Sequence, residues 1–298
     1  MTPSTARSAP STSRSPDKTL VGLPQRDRCL VMGILNVTPD SFSDGGTYAD
    51  TARAIGCGLA LAADGADIVD VGGESTRPGA LPVPLDEELS RVLPVVRELA
   101  RAGVFVSIDT MHAAVAQAAL DAGARLVNDV SGGRADPMMA ATVAAAGVPY
   151  VAMHWRAPSI EMNGHAVYRD VVAEVVAELR QRIDELTAGG VDERQILLDP
   201  GLGFAKRPVH DWTLLAHLGD LLTLGFPVLV GASRKSFIGA VLGDGDGTLV
   251  PPAARDAASA AVSALAAAGG ASCVRVHDVP SSLDAVRVAA AWNAPPAT

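Results

Sequence analysis

The sequence predicts a single-domain α/β protein folded as a closed (β/α)8 barrel, and three observations predict it. From Leu30 onward, short runs of Val, Ile and Leu alternate with longer Ala-rich stretches, a pattern typical of strand and helix units around a parallel sheet. Eight such units fit into about 250 residues, the usual size of a barrel. A polar residue also follows each apolar run, and barrel strands all end at one rim. An open doubly wound sheet is disfavoured because no Gly-rich dinucleotide loop follows the first strand.

The predicted elements follow in order along the chain. Strands are expected at 30–34, 68–71, 104–108, 125–129, 150–153, 196–199, 228–231 and 273–276. Helices are expected at 50–64, 86–102, 112–122, 137–146, 170–188, 209–219, 251–268 and 280–292, several of them beginning at Asp or Pro. The glycines at 65, 103, 123 and 147 stand where the first four helices should end.

Both ends of the chain are expected to lie outside the barrel. Residues 1–28 are rich in Ser, Pro and Arg and lack the apolar centre of a secretory signal, which indicates a disordered tail. An organelle transit peptide is the alternative. The barrel is expected to span 29–293, followed by a short tail at 294–298.

Composition excludes several classes of function. The formal net charge of −9 disfavours nucleic acid and anionic membranes as partners, since both require a broad basic surface. The three cysteines are scattered and odd in number, which indicates a reduced, cytoplasmic protein without a cysteine metal site. No apolar stretch approaches the roughly 20 residues of a membrane helix, so a soluble protein is expected.

Two long loops are expected at the rim of the barrel. NVTPDSFSDGGTY occupies 36–48 after the first strand, and GGESTRPGALPVP occupies 72–84 after the second. Both exceed the usual connection between a strand and a helix, and they contain Asn, Asp, Phe and Arg. We interpret them as lids over the barrel mouth. The alternative is an ordinary surface excursion.

The last two strands carry an expected anion site. Arg275 and His277 lie two residues apart, so strand alternation points both side chains the same way. The Arg fork suits phosphate, and barrels often bind phosphate near strands seven and eight. Strand seven is followed by Ser233, Arg234 and Lys235 at the start of a short helix, where backbone N–H groups also favour an anion. Taken singly, these residues could be a helix cap and solvated charges.

Acidic and amide side chains at three other strand ends suit a planar heterocycle. These are Asp109, Asn128 with Asp129, and Asp199. A carboxylate accepts two hydrogen bonds from one edge of a pterin, Asn both donates and accepts, and Lys235 can donate to a ring carbonyl. Metal-centred hydrolysis is the competing interpretation, but the six histidines include no H-x-H pair.

The motifs together resemble those of the dihydropteroate synthases, a family of pterin-binding barrel enzymes. The matching strings, between about Leu30 and Trp292, are GILNVTPDSFSDGG, DVGGESTRPGA, SIDT, VNDVSGG, MHWR, LDPGLGFAK, GASRKSFIG and VRVHDV. Each string alone is weak, whereas eight in order are specific. The segment 157–170 departs from the family pattern, so no contact is carried over to it.

The resemblance implies a set of site residues. The pterin pocket would consist of Asp109, Asn128, Met153, Asp199, Phe204 and Lys235. The diphosphate would bind Arg275, His277 and Asn36, the last through Mg²⁺. The p-aminobenzoate would be held by Thr76, Arg77, Pro78 and Ser233, with Arg234 as a further expected substrate contact. Catalytic roles are expected for Asp40, Phe42, Lys235, Arg275 and His277, with Asp40 and Phe42 closing over the site.

The resemblance also implies a reaction and partners. The enzyme would join a dihydropterin diphosphate to p-aminobenzoate, release pyrophosphate and form a homodimer, and sulfonamides would compete with p-aminobenzoate. Two alternatives stay open at this point. One is a methyltransferase that acts on a reduced folate with a corrinoid partner, and the other is a pterin-binding protein without activity.

Overall fold

Eight parallel strands form the wall of a barrel in the computed structural model, which describes residues 21–38, 46–75, 79, 81–158, 161–243 and 248–294. Strands β1 to β6 neighbour one another in sequence order, β8 pairs with β1, and β7 pairs with β8. A single parallel bridge between Leu198 and Val228 joins β6 to β7. The strands are β1 Leu30–Asn36, β2 Ile68–Gly72, β3 Val106–Asp109, β4 Leu126–Asp129, β5 Tyr150–Met153, β6 Ile196–Asp199, β7 Leu229–Val230 and β8 Cys273–Val276. The predicted (β/α)8 fold is therefore confirmed.

Helices connect the strands and surround the barrel. The described residues contain α1 Gly46–Ala63, α2 Leu85–Arg101, α3 Ala113–Asp121, α4 Met139–Ala146, α5 Val171–Ala188, α6 Pro208–Ala216, α7 Leu218–Leu222, α8 Ser236–Leu242, α9 Asp256–Ala268 and α10 Val279–Asn293. The helix predicted at 209–219 is thus two helices, α6 and α7, which meet at His217. Among the described helices, none has both the length and the apolar character needed to cross a membrane.

Strand alternation separates the inside of the barrel from the layer under the helices. The larger apolar cluster lies between strands and helices and includes Val31, Val69 and Ile108. Full burial of one such side chain stabilises the fold by about 1.5–3 kcal/mol. The inner cluster comprises Leu30, Met32, Ile68, Leu126, Val151, Leu197, Leu229 and Cys273.

A polar layer lies directly above the inner apolar cluster. Four polar residues each follow a member of that cluster by two positions in the same strand. They are Asp70, Asn128, Asp199 and Arg275. Because alternate residues of a strand share one face, these polar side chains also point into the barrel. The sequence of each strand, apolar first and polar at its end, therefore places a polar floor under the barrel mouth.

Residues 21–28 lie against the amino end of the barrel. Arg26 Nε and Arg28 Nη1 bind the carboxylate of Asp67 at 2.8 and 2.6 Å, and Val31 N donates to it at 2.9 Å. Burial raises the pKa of Asp67, but these hydrogen bonds outweigh that effect and hold the pKa below its usual value. A buried carboxylate thus holds residues 21–28, which belong to the predicted tail, against the barrel. Residues 1–20 and 295–298 lie outside the described residues, and the other domain limits stay predictions.

Candidate active site

Arg275 joins three strands at the centre of the polar layer. Its Nε donates to Asp70 Oδ2 at 2.6 Å, and its Nη2 donates to Asp109 Oδ2 at 2.7 Å. Asn128 Nδ2 donates to the same Asp70 oxygen at 2.9 Å. Side chains from β2, β3, β4 and β8 thus meet in one hydrogen-bonded group, as predicted for the ends of barrel strands.

Burial and neighbouring charges together determine the pKa values in this group. The carboxylates of Asp70 and Asp109 hold the pKa of Arg275 above its ordinary value, although burial opposes them. Burial raises the pKa of Asp109 to about 7, against the lowering effect of Arg275. Asp70 is fully buried, and its Oδ1 has no hydrogen-bond partner among the described residues. Such an oxygen is costly unless a ligand or water donates to it.

Lys235 and Asp199 form a second part of the site. Lys235 Nζ donates to the carbonyl of Leu202 and lies 4.8 Å from the centre of the Phe204 ring. Burial lowers the pKa of Lys235 to about 8, against the opposing charge of Asp199. Met153, which is buried, stands opposite Asp199 in the register of β5 and β6. A cation, a carboxylate and apolar surface thus line one side of the mouth.

Ser233 and His277 contact each other on the adjoining side. Ser233 Oγ lies 3.0 Å from His277 Nδ1 and accepts a hydrogen bond from the His277 backbone N at 3.1 Å. Since Oγ accepts from the backbone, its hydroxyl proton can go to Nδ1, which leaves Nε2 as the ring donor. In that tautomer the ring has an N–H donor two residues along the chain from Arg275.

Arg234 is the predicted contact that the structure does not bring to this group. Its guanidinium binds Asp256 at 2.6 and 2.8 Å, and its backbone N donates to Ser259 Oγ at 3.0 Å. Its φ of 58° lies in the left-handed region, so the chain turns sharply between Ser233 and Lys235. In this arrangement its side chain is directed to α9 and not to the group around Arg275, and the predicted substrate contact of Arg234 stays a prediction.

Asn36 ends β1 level with the site. Strand register places it beside Gly72, Gly72 beside Asp109, and Asp109 beside Asn128. Asn36 is half-buried and also lines a surface pocket of about 380 Å³ with Cys57 and Ala60 of α1. Its amide oxygen is a ligand type that Mg²⁺ accepts. The other predicted residues on the two loops, Asp40, Phe42, Thr76, Arg77 and Pro78, lie outside the described residues.

Lys206 is a functional candidate that sequence reasoning missed. Its ammonium donates to the carbonyls of Gly201 and Phe204 at 2.9 and 3.1 Å and lies 3.0 Å from His154 Nδ1. His154 Nε2 in turn lies 2.9 Å from Glu178 Oε2. Burial lowers the pKa of Lys206 to about 7 and that of His154 to about 4. Lys206 thereby fixes the turn between Asp199 and Phe204.

The structure gives Asp129 a role in a turn and places Asp70 in the site. Asp129, predicted at the rim beside Asn128, points away from the barrel interior and accepts hydrogen bonds from Ser131, Gly133 and Tyr150 at 2.7–2.8 Å. It shapes the turn after β4. Asp70, which lies in the strand predicted at 68–71 and was given no role, is at the centre of the site. Its spacing of two residues from Ile68 is the signal that would have identified it.

The geometry of the site agrees with the comparisons to known proteins. A family model described as "Pterin binding enzyme" matches residues 32–277. The dihydropteroate synthase of Mycobacterium leprae is 57% identical over 263 residues, which cover 88% of this chain and 93% of that protein. The chain belongs to the dihydropteroate synthases of the pterin-binding enzyme family. The dihydropteroate synthase of Bacillus subtilis is 44% identical over 258 residues, 86% of each chain.

Solved structures of this family share the fold. The dihydropteroate synthase of Xanthomonas albilineans with 4-aminobenzoic acid superposes with a TM-score of 0.83 at 46% identity, covering 91% of this chain and 95% of that chain. The Yersinia pestis enzyme in a sulfonamide drug complex gives a TM-score of 0.84 at 40% identity, covering 92% and 98%. The predicted family is therefore confirmed.

Proposed function

We propose that this chain condenses a dihydropterin diphosphate with p-aminobenzoate, giving dihydropteroate and pyrophosphate. The observation that carries the proposal is the convergence of Asp109, Asn128, Asp199, Lys235 and Arg275 above the inner apolar cluster. Related structures with 4-aminobenzoic acid and with 7,8-dihydropteroate support it. The competing methyltransferase and the inactive pterin binder have no comparable support.

The pterin would bind within the polar layer. The carboxylates of Asp109 and Asp199 would accept its ring N–H and amino hydrogens, and Lys235 would donate to its carbonyl. The buried, unpartnered Asp70 Oδ1 offers one further acceptor. Met153 and Phe204 would cover the faces of the ring. Orientation in a site that excludes water is the main contribution of these residues, since water would capture the reactive methylene.

The leaving diphosphate would be stabilised by Arg275 and His277. Arg275 stays charged because two carboxylates surround it, and His277 would donate from Nε2 in the tautomer whose Nδ1 accepts from Ser233 Oγ. Both can meet the negative charge that grows as the bond between carbon and oxygen breaks. The arylamine nitrogen then attacks the methylene carbon, and its proton is lost to solvent or to the diphosphate. No covalent enzyme intermediate is required.

We propose Mg²⁺ as the cofactor, held by Asn36. The residues fit this ion, because Asn36 offers an amide oxygen at the end of β1. Strand register places Asn36 beside Gly72, and Gly72 beside Asp109. Mg²⁺ usually binds one or two protein oxygens together with substrate phosphates, and it neutralises their charge. We also propose that Thr76, Arg77, Pro78 and Ser233 hold p-aminobenzoate, and that Asp40 and Phe42 close over the site.

A coupled assay tests the proposed function. Purified protein would be mixed with the pterin diphosphate, p-aminobenzoate and Mg²⁺, and pyrophosphate and dihydropteroate would be measured together. We expect both products in equal amounts, with inhibition by sulfonamides that competes with p-aminobenzoate. Pyrophosphate release that does not depend on p-aminobenzoate would indicate a hydrolase instead and would contradict the proposal.

We further propose that two copies of the chain associate through α9 and α10. These helices pack against each other, and their outer surface exposes Leu265, Val288 and Trp292 to 73, 65 and 82%. Val288 and Trp292 lie four residues apart, so they share one face of α10. Exposed apolar clusters of this kind commonly mark interfaces.

We propose a cytoplasmic location as well. Cys29, Cys57 and Cys273 are all free thiols. Free cysteines are typical of reducing compartments.

A further inference from the structure

A second group of potential metal ligands lies beside the active site. Glu74, two residues after β2, Glu88 in the first turn of α2, and His112, three residues after β3, form what we call the Glu88 cluster. One ligand atom from each lies within 4.8 Å of the other two. His112 Nδ1 is 2.7 Å from Glu88 Oε2. None of these residues belongs to the group around Arg275 or to the proposed Mg²⁺ site.

Glu88 supplies the independent sign that this cluster binds something. Its side chain is only 1% exposed, and its Oε1 has no hydrogen-bond partner among the described residues. A buried carboxylate is costly unless its charge is paired and its oxygens accept hydrogen bonds. The imidazole of His112 satisfies one oxygen and leaves the other without a partner. A cation between the three side chains would satisfy both requirements.

From this geometry we propose that the Glu88 cluster binds a divalent transition metal, with Zn²⁺ as the best fit. Imidazole favours Zn²⁺ over Mg²⁺, and one His with two carboxylates leaves a fourth position for water. Ligand atoms about 2.1 Å from a tetrahedral ion lie about 3.4 Å apart. The 2.7 Å separation of His112 and Glu88 and the 4.8 Å limit of the cluster bracket that value. Metal binding through Nδ1 of His112 would displace the proton of the His112–Glu88 hydrogen bond, either to Nε2 of the ring or to solvent.

The position of the metal gives it a structural role. Glu74 Oε2 accepts a hydrogen bond from Val83 N at 3.0 Å, so Glu74 already joins the two ends of the connection between β2 and α2. Arg91 Nη1 donates to Gly73 O at 2.8 Å and holds the start of the same connection to α2. A metal on Glu74, Glu88 and His112 would attach this connection to the one that follows β3.

Metal titration tests the proposal. Protein stripped with a chelator would be titrated with ZnCl2 by calorimetry, and with CoCl2 by absorption spectroscopy, without substrate or Mg²⁺. We expect one bound ion per chain, and visible Co²⁺ bands without the strong near-ultraviolet band of thiolate ligation, which excludes Cys57. His112→Gln and Glu74→Gln should each weaken binding by about tenfold or more. Zn²⁺ should raise the Tm of the parent chain and not that of His112→Gln.

His165→Gln and Glu98→Gln are the matched controls, because both residues are exposed and neither lies in the Glu88 cluster. Their Zn²⁺ affinity should equal that of the parent chain. The proposal is overturned if the parent chain binds no ion, or if His112→Gln and Glu74→Gln bind as tightly as the controls. The condensation assay uses Mg²⁺ and no Zn²⁺, so its result judges the proposed function separately.

Discussion

At the scale of single residues, Asp70 determines how the site is built. It is fully buried, and one of its oxygens holds both Arg275 and Asn128. Without this carboxylate, the guanidinium would keep only Asp109 among its described carboxylate partners. Asp70 thus positions two predicted substrate contacts.

Asp70→Asn should therefore impair both folding and catalysis. Removing one partner of a buried ion pair typically costs about 3–5 kcal/mol, because the remaining charge stays buried. We expect a lower free energy of unfolding in urea and a kcat/KM reduced by at least about tenfold. Ser107→Ala is the control, since Ser107 stands beside Asp70 in the register and its hydroxyl is buried without a described partner. Equal losses in both variants would argue against a specific role of Asp70.

The pKa of Asp109 predicts a pH dependence of pterin binding. Burial raises this pKa to about 7, and the pterin needs the ionised carboxylate as its acceptor. Affinity should therefore rise with pH through about 7 and level off above it. The measurement would use the pterin alcohol, because the diphosphate itself titrates in this range. In Asp109→Asn the affinity should be weak and independent of pH; a retained midpoint near 7 would assign the titration to another group.

Lys206 contributes to the low pKa of His154, after burial. Burial lowers the pKa of His154 to about 4, and the charge of Lys206 contributes to this shift. Lys206→Gln removes that charge, so the pKa of His154 should rise, which NMR of the imidazole would show. The KM for the pterin diphosphate should rise as well, because the turn held by Lys206 contains Phe204. Lys206→Arg should restore part of both properties, whereas an unchanged His154 pKa in Lys206→Gln would refute the coupling.

At the scale of elements, strands were more predictable than the contacts at their ends. The strands at 150–153, 196–199 and 273–276 were predicted with their observed limits, because apolar runs bounded by turns define short parallel strands. β7 is shorter than predicted, with two residues, since it joins β6 only through one bridge. The division of α6 from α7 at His217 has no marker in the apolar periodicity.

Side-chain partners were predictable only where strand alternation fixes direction. Asp109, Asn128, Asp199 and Arg275 were found because each is one of the last two residues of a strand and lies on its inner face. Arg234 has no such constraint, and its partner Asp256 lies 22 residues away on α9. Lys206 likewise acts through backbone carbonyls, which a sequence does not reveal.

Gly201 is the element-scale test of the turn after β6. Its φ is +67°, and an added Cβ would lie 2.3 Å from the His154 carbonyl oxygen. Gly201→Ala should therefore lower the free energy of unfolding by at least about 2 kcal/mol, from left-handed strain and this close contact. It should also raise the KM for the pterin diphosphate. Gly219→Ala, in α7 with nothing within 4 Å of its added Cβ, should leave the KM unchanged and raise the free energy of unfolding by up to about 1 kcal/mol, because Ala is favoured over Gly in a helix. Destabilisation by neither variant would show that the turn tolerates a side chain.

At the scale of the whole molecule, the outer face of α9 and α10 exposes large apolar side chains that the single chain does not cover. Trp292 is 82% exposed, and Val288 of the same helix and Leu265 of the adjacent α9 are exposed as well. Water contact with this area is unfavourable, and a second copy of the chain would remove it.

Trp292→Asp should convert the proposed dimer to a monomer. The added charge would be buried at the interface, which is unfavourable, and a C2 dimer would bury one such charge from each copy. Analytical ultracentrifugation at several protein concentrations measures the change. Val209→Asp, at an exposed apolar position on α6, is the control and should leave the mass unchanged. A monomeric parent chain would refute the dimer directly.

The single bridge between β6 and β7 makes this part of the barrel wall dependent on bound substrate for rigidity. Asp199 ends β6 and Lys235 follows β7, so the two predicted pterin contacts stand on opposite sides of the least connected junction of the ring. A pterin held by both would add noncovalent links where the backbone supplies the fewest. Bound substrate would then strengthen the closure of the barrel, so the junction between β6 and β7 would be more rigid with substrate than without it.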